Sequence, residues 1–166
     1  MAKIKLKGNP INTSGNLPRI GTKAKDFMLT GLDLADKKLA DFKGKKILMN
    51  IFPSIDTGVC AMSVRKFNAE AAKAKTTVIL GISRDLPFAL GRFCGAEGID
   101  KVITLSEMRD RSFGKNYGLE IIDGPMAGLL ARAVIIINED GKVIYRELVE
   151  DIVQEPDYKA ALKALK

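Results

Sequence analysis

The sequence predicts an α/β fold in which a mixed central sheet carries helices on both faces. Two near-continuous apolar runs rich in branched residues, 46–52 and 76–83, are typical of strands covered on both sides. Between them, apolar residues recur every three or four positions from 60 to 71, the spacing of one helix face. A strand, a helix and a strand in this order predict a right-handed crossover between parallel strands.

The first 45 residues precede this unit and are predicted to form short hairpins. They contain seven glycines and prolines, which interrupt helices and favour turns. The whole chain has 166 residues, of which 46% are hydrophobic. This is enough for one domain with a proper core, so residues 1–166 are predicted to form a single domain.

The second half of the chain continues the alternation of helices and strands. A short helix is predicted at 86–94, a third strand at 101–105 and a further helix at 109–118. Residues 131–148 predict two strands joined by an Asp-Gly turn. Residues 155–166 predict a closing helix.

The chain has no histidine and only two cysteines, which excludes several kinds of catalytic and metal site. Without imidazole there is no Ser-His or Cys-His pair, no HExxH zinc site and no histidine-ligated haem, and two cysteines are too few for a four-ligand zinc site. No apolar stretch follows the N-terminal lysines and no run approaches a membrane span, so we expect a cytoplasmic protein. In a reducing compartment, two cysteines favour a catalytic or redox-sensing role over a structural disulfide.

Positive charge is concentrated in residues 1–46, which hold eleven Lys or Arg against four acidic residues, while the remaining 120 residues carry 16 of each sign. A nucleic-acid surface would combine such cations with aromatic side chains, and this region offers only Phe27 and Phe42. A solvated lysine-rich edge accounts better for the pattern, with electrostatic steering toward an acidic protein as the alternative. We therefore expect no nucleic-acid and no membrane partner.

Cys60 lies in the first turn of the helix predicted between the first two central strands. A free cysteine is often a small buried hydrophobic residue, and position 60 belongs to the apolar face of that helix. The alternative is a reactive thiolate, because unpaired N–H groups and the helix dipole stabilise negative charge at a helix N-terminus. With Thr57 or Asp56 as the cap, Cys60 is near the third helical position, close to those donors.

Three further residues are candidates for the same site. Pro53 ends the strand and has no N–H, so it fits over a pocket without needing a hydrogen bond. Thr57 is either a simple helix cap or a hydroxyl donor to the thiolate and to a substrate oxygen. Arg132 interrupts an apolar run at the start of a buried strand, where it either reaches solvent or pairs with an anion.

The sequence resembles the peroxiredoxin family. "PSIDTGVC" (53–60) fits the peroxiredoxin pattern of a proline, three residues, a threonine, two residues and a cysteine. Together with "SRDLPFALGRFCGAEG" (83–98) and "DGPMAGLLARAV" (123–134), it is similar to the bacterial thiol peroxidase subfamily, which are atypical two-cysteine peroxiredoxins. The similarity covers nearly the whole chain, and the second cysteine, within "RFCGAEG", selects the subfamily.

This resemblance implies a role for each candidate residue. Cys60 would be the peroxidatic cysteine, which attacks peroxide and becomes a sulfenic acid. Thr57 and Arg132 would hold the thiolate and orient the peroxide, and Pro53 would shield the sulfenic acid. Cys94 would be the resolving cysteine, forming an intramolecular disulfide with Cys60.

The resemblance also implies a thioredoxin-like fold with an N-terminal β-hairpin extension, a homodimer, and thioredoxin as the electron donor. A thiolate reduces the O–O bond without a metal or imidazole, so no cofactor and no metal are predicted. Four apolar residues near the predicted site, which would favour organic or lipid hydroperoxides, are alternatively ordinary core or dimer contacts: Phe88, Phe93, Met126 and Leu129.

Two other classes of protein remain as alternatives. A disulfide carrier without peroxidase activity would also use two cysteines, but these are 34 positions apart and form no C-x-x-C motif. A non-catalytic module would use the basic residues 1–46 to bind nucleic acid or an acidic protein.

Overall fold

The computed structural model describes residues 1–71 and 76–166 of the chain. The strands are, in chain order, β1 Lys3–Leu6, β2 Asn9–Asn12, β3 Met28–Thr30, β4 Asp36–Lys38, β5 Lys46–Ile51, β6 Thr77–Ser83, β7 Val102–Ser106, β8 Ala133–Ile137 and β9 Val143–Leu148. The helices are α1 Gly58–Ala71, α2 Pro87–Glu97, α3 Ser112–Asn116 and α4 Tyr158–Ala164, with a short 3-10 helix at Leu39–Phe42. Within the described ranges, none of these helices is both long and apolar enough to cross a membrane.

The central sheet of the described chain has the strand order β4-β3-β7-β6-β5-β8-β9. Strands β5, β6 and β7 are parallel, as predicted for the β5-α1-β6 unit. The flanking strands pair antiparallel, so the sheet is mixed, as predicted. The Asp-Gly turn joins β8 to β9, and Gly141 provides the positive φ of 77° that this turn requires.

Apolar side chains cover both faces of the sheet and form two clusters. Because side chains alternate along a strand, Ile47 and Met49 of β5 belong to the first cluster and Leu48 to the second. Helix α3 packs on the first cluster through Phe113. The second cluster receives buried side chains from α1, α2 and α4, among them Phe67, Leu90 and Ala161. Helices on both faces are therefore confirmed.

The predicted N-terminal hairpin is confirmed as the pair β1 and β2. Its two-residue turn consists of Lys7 and Gly8, with φ values of 50° and 82°. Positive φ at both positions is the geometry that lets a two-residue turn follow the twist of its strands. The carboxylate of Asp151 accepts hydrogen bonds from both turn N–H groups, at 3.0 and 2.7 Å, and so fixes the hairpin to the rest of the chain.

Helix α2 extends three residues beyond the end predicted at 94, because Gly98 and not Gly95 provides the stop. Gly98 adopts the left-handed conformation with φ of 64°, and its N–H donates to the carbonyl of Cys94. The last turn is also held from outside, since Glu97 pairs with Arg65 of α1 at 2.7 Å.

Helix α3 is shorter than the predicted range 109–118. The carboxylate of Asp110 accepts from the N–H of Ser112 at 2.8 Å, which starts the helix there. Gly118, with φ of 69°, lies just beyond its end. The sequence between the first two central strands predicts a helix within residues 57–75, and the last four of these positions, 72–75, lie outside the described residues.

Candidate active site

The turn between β5 and α1 places Cys60 at the start of a helix. Phe52 and Ile55 are 0% and 1% exposed and anchor this turn in the second apolar cluster. Pro53 between them is also buried, and with no N–H it ends the strand without leaving a donor unpaired. Because α1 begins at Gly58, Cys60 is its third residue, as predicted, and is 0% exposed.

Two donors converge on the sulfur of Cys60. The Thr57 hydroxyl donates to Sγ at 2.7 Å, and Nη2 of Arg132 donates to it at 3.3 Å. Thr57 Oγ1 is also 3.1 Å from the carbonyl oxygen of Ser54. One hydroxyl hydrogen serves only one acceptor at a time, so the hydroxyl donates to sulfur when sulfur is the thiolate. A hydroxyl, a guanidinium and a helix N-terminus together favour negative charge on this sulfur.

Arg132 is buried and does not reach solvent, because only 2% of it is exposed. Its Nε donates to the carbonyl oxygen of Ile152 at 2.9 Å, and its Nη2 donates to Cys60 Sγ. Within the part of the chain that the structure describes, its Nη1 is buried without a hydrogen-bond partner. A buried guanidinium is costly without an anion, and here the nearest anionic candidate is the thiolate. The free Nη1 is a donor for a further oxygen atom.

Cys94 does not join this group. It lies in α2, is 8% exposed, and its Sγ is 3.8 Å from Thr104 Oγ1. Burial raises the pKa of the Cys94 thiol, and the contact with Thr104 offsets this only in part. Cys94 also borders a groove of about 380 Å³, which Leu32, Ile99 and Val102 line with other residues. Both cysteines are free thiols, so this is the reduced arrangement.

Two polar residues near Cys60 are not among the residues predicted from the sequence. Asn50 Nδ2, on β5, donates to Ser63 Oγ at 3.0 Å, and Ser63 Oγ donates to the carbonyl of Cys60 at 2.8 Å. Both side chains are fully buried, so this pair fixes the first turn of α1 to the central sheet. A polar residue inside the apolar run 46–52 is the sequence signal that points to Asn50.

Asp85 is a further residue that the sequence reasoning missed. Its carboxylate accepts hydrogen bonds from Ser54 Oγ and from the N–H of Ile55, both at 2.7 Å. It follows the end of β6, and polar residues just beyond the carboxyl ends of parallel strands commonly line functional sites. That position, within the "SRDLPF" stretch, is the signal that could have identified it.

The four apolar residues considered for substrate preference are not gathered at Cys60. Phe93 packs against the second cluster, which contains Cys60, while Met126 and Leu129 pack against the first cluster. Phe88 is 68% exposed. Within the described residues, no group of three or more acidic or cysteine side chains is arranged to hold a metal ion.

The chain is similar to known proteins over nearly its whole length. The Redoxin family model matches residues 19–162. The thiol peroxidase of Mycobacterium bovis is 57% identical over 165 residues, a match covering 99% of each chain. The thiol peroxidase of Mycobacterium tuberculosis strain H37Rv matches with the same identity and coverage.

Solved structures show the same architecture. A peroxiredoxin-like protein from Aquifex aeolicus superposes with a TM-score of 0.94 at 36% identity, over 99% of this chain and 96% of that one. The thiol peroxidase from Chromobacterium violaceum superposes with a TM-score of 0.91 over 98% of this chain and 94% of that one, and at 24% identity it supports the fold alone.

A thioredoxin-like sheet with a cysteine thiol held at a helix start by a hydroxyl and a guanidinium defines a peroxiredoxin, an oxidoreductase that uses a thiol to reduce peroxides. The chain belongs to the Redoxin family and, within it, to the thiol peroxidases. The resemblance to peroxiredoxins, the thioredoxin-like fold and the thiol-dependent peroxidase activity are therefore confirmed.

Proposed function

We propose that this chain reduces hydrogen peroxide and organic hydroperoxides with Cys60 as the peroxidatic cysteine and Cys94 as the resolving cysteine. The observation that carries the proposal is the convergence of Thr57 and Arg132 on Cys60 Sγ, at 2.7 and 3.3 Å. The other cysteine of the chain, Cys94, has one hydrogen-bond partner for its sulfur among the described residues, the hydroxyl of Thr104 at 3.8 Å.

In the first step the Cys60 thiolate attacks one oxygen of the peroxide. The O–O bond breaks, its electron pair leaves with the second oxygen, and that oxygen takes a proton to become water or an alcohol. Cys60 is oxidised to the sulfenic acid. Nη1 of Arg132, buried without a partner among the described residues, donates to the peroxide oxygen on which charge develops. Pro53 covers the sulfenic acid and limits further oxidation.

In the second step the Cys94 thiolate attacks the sulfur of the sulfenic acid. A disulfide forms within the chain as the S–O bond breaks, and the hydroxide that leaves takes up a proton from solvent to become water. Cys94 is 8% exposed and contacts Thr104, whereas Cys60 contacts Thr57 and Arg132. The two sulfurs have separate partners in the reduced form, so α2 and the first turn of α1 open before the disulfide closes.

A dithiol protein, thioredoxin, then reduces the disulfide by thiol–disulfide exchange and completes the cycle. This pairing places the protein in the cytoplasm, a reducing compartment where catalytic disulfides are transient. We further propose a homodimer. Leu86 and Phe88, at the start of α2, are 54% and 68% exposed, and large apolar side chains of this kind suit an interface with a second copy.

The test is peroxide consumption with and without a thioredoxin system. The wild-type protein should turn over continuously with thioredoxin, thioredoxin reductase and NADPH. Cys60→Ser should be inactive, and Cys94→Ser should consume about one equivalent of peroxide per chain and then stop with thioredoxin. Full steady-state activity in Cys60→Ser would refute the assignment of Cys60.

The same assay separates the alternative functions. A disulfide carrier would exchange thiols with thioredoxin but consume no peroxide. A binding module would do neither. Sedimentation velocity on the wild type and on Phe88→Ser tests the dimer: a shift of the variant toward the monomer is expected, and a monomeric wild type at micromolar concentration would refute the dimer.

A further inference from the structure

One carboxylate holds the turn that leads to Cys60. Asp85 Oδ1 accepts from Ser54 Oγ at 2.7 Å, and Oδ2 accepts from the N–H of Ile55 at 2.7 Å and from Ser83 Oγ at 2.6 Å. Three donors to one carboxylate are a strong, directional attachment, because hydrogen bonds to an ionised group are shorter and stronger than neutral ones. Two of these donors belong to the turn after β5, so its position depends on Asp85.

The turn that Asp85 holds is the one that positions the thiolate donor. The carbonyl oxygen of Ser54 accepts from the N–H of Thr57 at 3.3 Å. The Thr57 hydroxyl oxygen is 3.1 Å from the same carbonyl oxygen, and the hydroxyl donates to Cys60 Sγ at 2.7 Å. A continuous set of hydrogen bonds thus runs from the Asp85 carboxylate through Ser54 and Thr57 to the sulfur.

The same residue begins the segment that carries Cys94. Asp85 is followed by Leu86, the residue that precedes the first turn of α2, and Cys94 lies in that helix. The backbone of Asp85 is itself fixed, since its N–H donates to Ser83 Oγ at 3.2 Å and its carbonyl accepts from Ser106 Oγ. Asp85 is therefore bonded to the turn that leads to Cys60 and lies directly before the helix that contains Cys94.

We propose that Asp85 is a positioning residue that holds the peroxide-reducing arrangement together and restrains its opening toward disulfide formation. The inference rests on the proposed roles of Cys60 and Cys94. Two consequences of opposite sign follow. Weakening Asp85 should slow the oxidation of Cys60 by peroxide, because Thr57 is no longer held against the sulfur. It should also speed disulfide formation, because the turn and α2 separate more readily.

The first experiment measures Cys60 oxidation alone, in a Cys94→Ser background. An Asp85→Asn side chain keeps one acceptor oxygen, but its amide nitrogen cannot accept a hydrogen bond, so at least one of the three donors loses its acceptor. The second-order rate with hydrogen peroxide should fall about 10-fold or more, the effect of losing one charge-assisted hydrogen bond. Because the chain has no tryptophan, rapid quenching with a sulfenic-acid reagent and mass spectrometry is the readout.

The matched control is Asp56→Asn. Asp56 lies in the same turn and also reaches α2, through an exposed ion pair with Arg92 at 3.0 Å, but its side chain takes no part in the hydrogen bonds of Asp85. This variant removes the same charge from the same turn. Its oxidation rate should stay within about twofold of the Cys94→Ser parent, because exposed ion pairs contribute little.

The second experiment measures disulfide formation with Cys94 present. After a single equivalent of peroxide, Asp85→Asn should form the disulfide at least about threefold faster than the wild type. A rate change of this size lies within the effect of losing one hydrogen bond. The same quenched samples report disulfide formation as the loss of free thiol. A variant that is simply unstable would slow the first step without accelerating the second, so opposite changes in the two rates identify a positioning role.

Ser54→Ala provides a second variant should Asp85→Asn fold poorly. It removes one of the three donors to the Asp85 carboxylate, together with the acceptor of the Asp56 N–H at 3.2 Å, and should shift both rates in the same directions by a smaller factor. Unchanged rates in both variants, or parallel changes in Asp85→Asn and Asp56→Asn, would overturn the inference. If instead the wild-type Cys60 does not react with peroxide, the proposed function fails, and this outcome is distinct because it appears before any variant is compared.

Discussion

Arg132 is a buried arginine whose burial costs folding free energy and whose guanidinium contacts the proposed reactive sulfur. A buried guanidinium loses its hydration, and this one regains two hydrogen bonds, to the carbonyl of Ile152 and to Cys60 Sγ. Its Nη1 gains none from the described residues. A donor left unpaired in the interior costs folding free energy, which supports the proposal that a substrate oxygen restores the missing bond.

We expect Arg132→Met to lower the second-order rate with peroxide by about 100-fold or more, because loss of one fixed donor to a developing oxyanion has effects of that size. Alkylation of Cys60 by iodoacetamide should also be slower, since the guanidinium that contacts the sulfur is gone. Arg146→Met is the control, because the hydrogen bonds of Arg146 within the described residues go to the backbone carbonyls of Leu17 and Pro18. An alkylation rate unchanged in Arg132→Met would show that the helix N-terminus alone activates the sulfur.

The contribution of the Thr57 hydroxyl can be tested apart from that of its methyl group, because each can be removed by a separate substitution. Thr57→Val keeps the shape but loses the donor to Cys60 Sγ, and should lower the peroxide rate about 10-fold, the effect of one hydrogen bond to a charged group. Thr57→Ser keeps the hydroxyl and should stay within about threefold of the wild type. Equal losses in the two variants would indicate that Thr57 acts through packing alone.

At the scale of elements, α2 is the helix best suited to open. Leu90 is its fully buried anchor, whereas residues 95–98 are exposed. Gly91 and Gly95 lie inside this helix, and each weakens a helix by about 1 kcal/mol relative to alanine. The pair between Glu97 and Arg65 that holds its last turn is partly exposed and contributes little.

Amide hydrogen exchange on the reduced and oxidised protein tests this opening. Residues 86–98 and 57–62 should lose protection on oxidation, because the disulfide draws the two cysteines out of their separate hydrogen-bond sets. Strand β8, buried along its whole length, provides the internal control and should remain protected. Identical protection of residues 86–98 in both forms would mean that the disulfide forms without unfolding α2.

The elements themselves were predictable because their signals are local. The apolar runs identify β5 and β6, and the spacing of Cys60, Val64 and Phe67 identifies the buried face of α1, where all three are fully buried. The limits of α2 were less predictable, because either Gly95 or Gly98 could have ended it. Only the backbone conformation, with positive φ at Gly98, decides between them.

The arrangement of the site was partly predictable. Thr57 is three residues from Cys60, and an arginine at the start of a buried strand needs an anion, so both signals lie within short stretches. The hydrogen bonds of Asp85 to Ser54 and Ile55 join residues about 30 positions apart, and these contacts exist only after β5 and β6 have paired. No pattern within one segment contains that information.

At the scale of the molecule, two carboxylates fasten the N-terminal hairpin. Asp123 accepts from the N–H and the side-chain amide of Asn12, at 2.7 and 2.6 Å, and these bonds lower the pKa of Asp123. Burial raises the pKa of Asp151, but hydrogen bonds from the N–H groups of Gly8, Val153 and Lys7 outweigh it, so its pKa is also below the ordinary value of 3.8.

The hairpin should therefore detach in acid before the central sheet unfolds. A carboxylate with a lowered pKa in the folded protein contributes stability that is complete above its ordinary pKa of 3.8 and is lost as the pH falls through the folded value. The protection of residues 3–12, that is the ratio of the intrinsic to the observed amide exchange rate at each pH from 6 to 2.5, should fall below about pH 4 while that of β8 stays high.

Asp151→Asn should weaken the attachment already at neutral pH and flatten this pH dependence. Asp140→Asn, in the exposed turn between β8 and β9, should leave it unchanged. Protection of residues 3–12 that does not change with pH in the wild type would show that the strand pairing of β1 with β2 alone keeps the hairpin protected.

The attachment of the hairpin also has a consequence for the order in which the chain folds during synthesis. The turn N–H groups of β1 and β2 bind Asp151, which follows Gly8 by 143 residues. Ribosomes add about 5–20 residues per second, so the first ten residues wait roughly 7–30 s for their anchor. Asp123 becomes available to Asn12 earlier in this interval, so the hairpin is held first at the end of β2, and its turn, which is made at the start of synthesis, is fixed among the last.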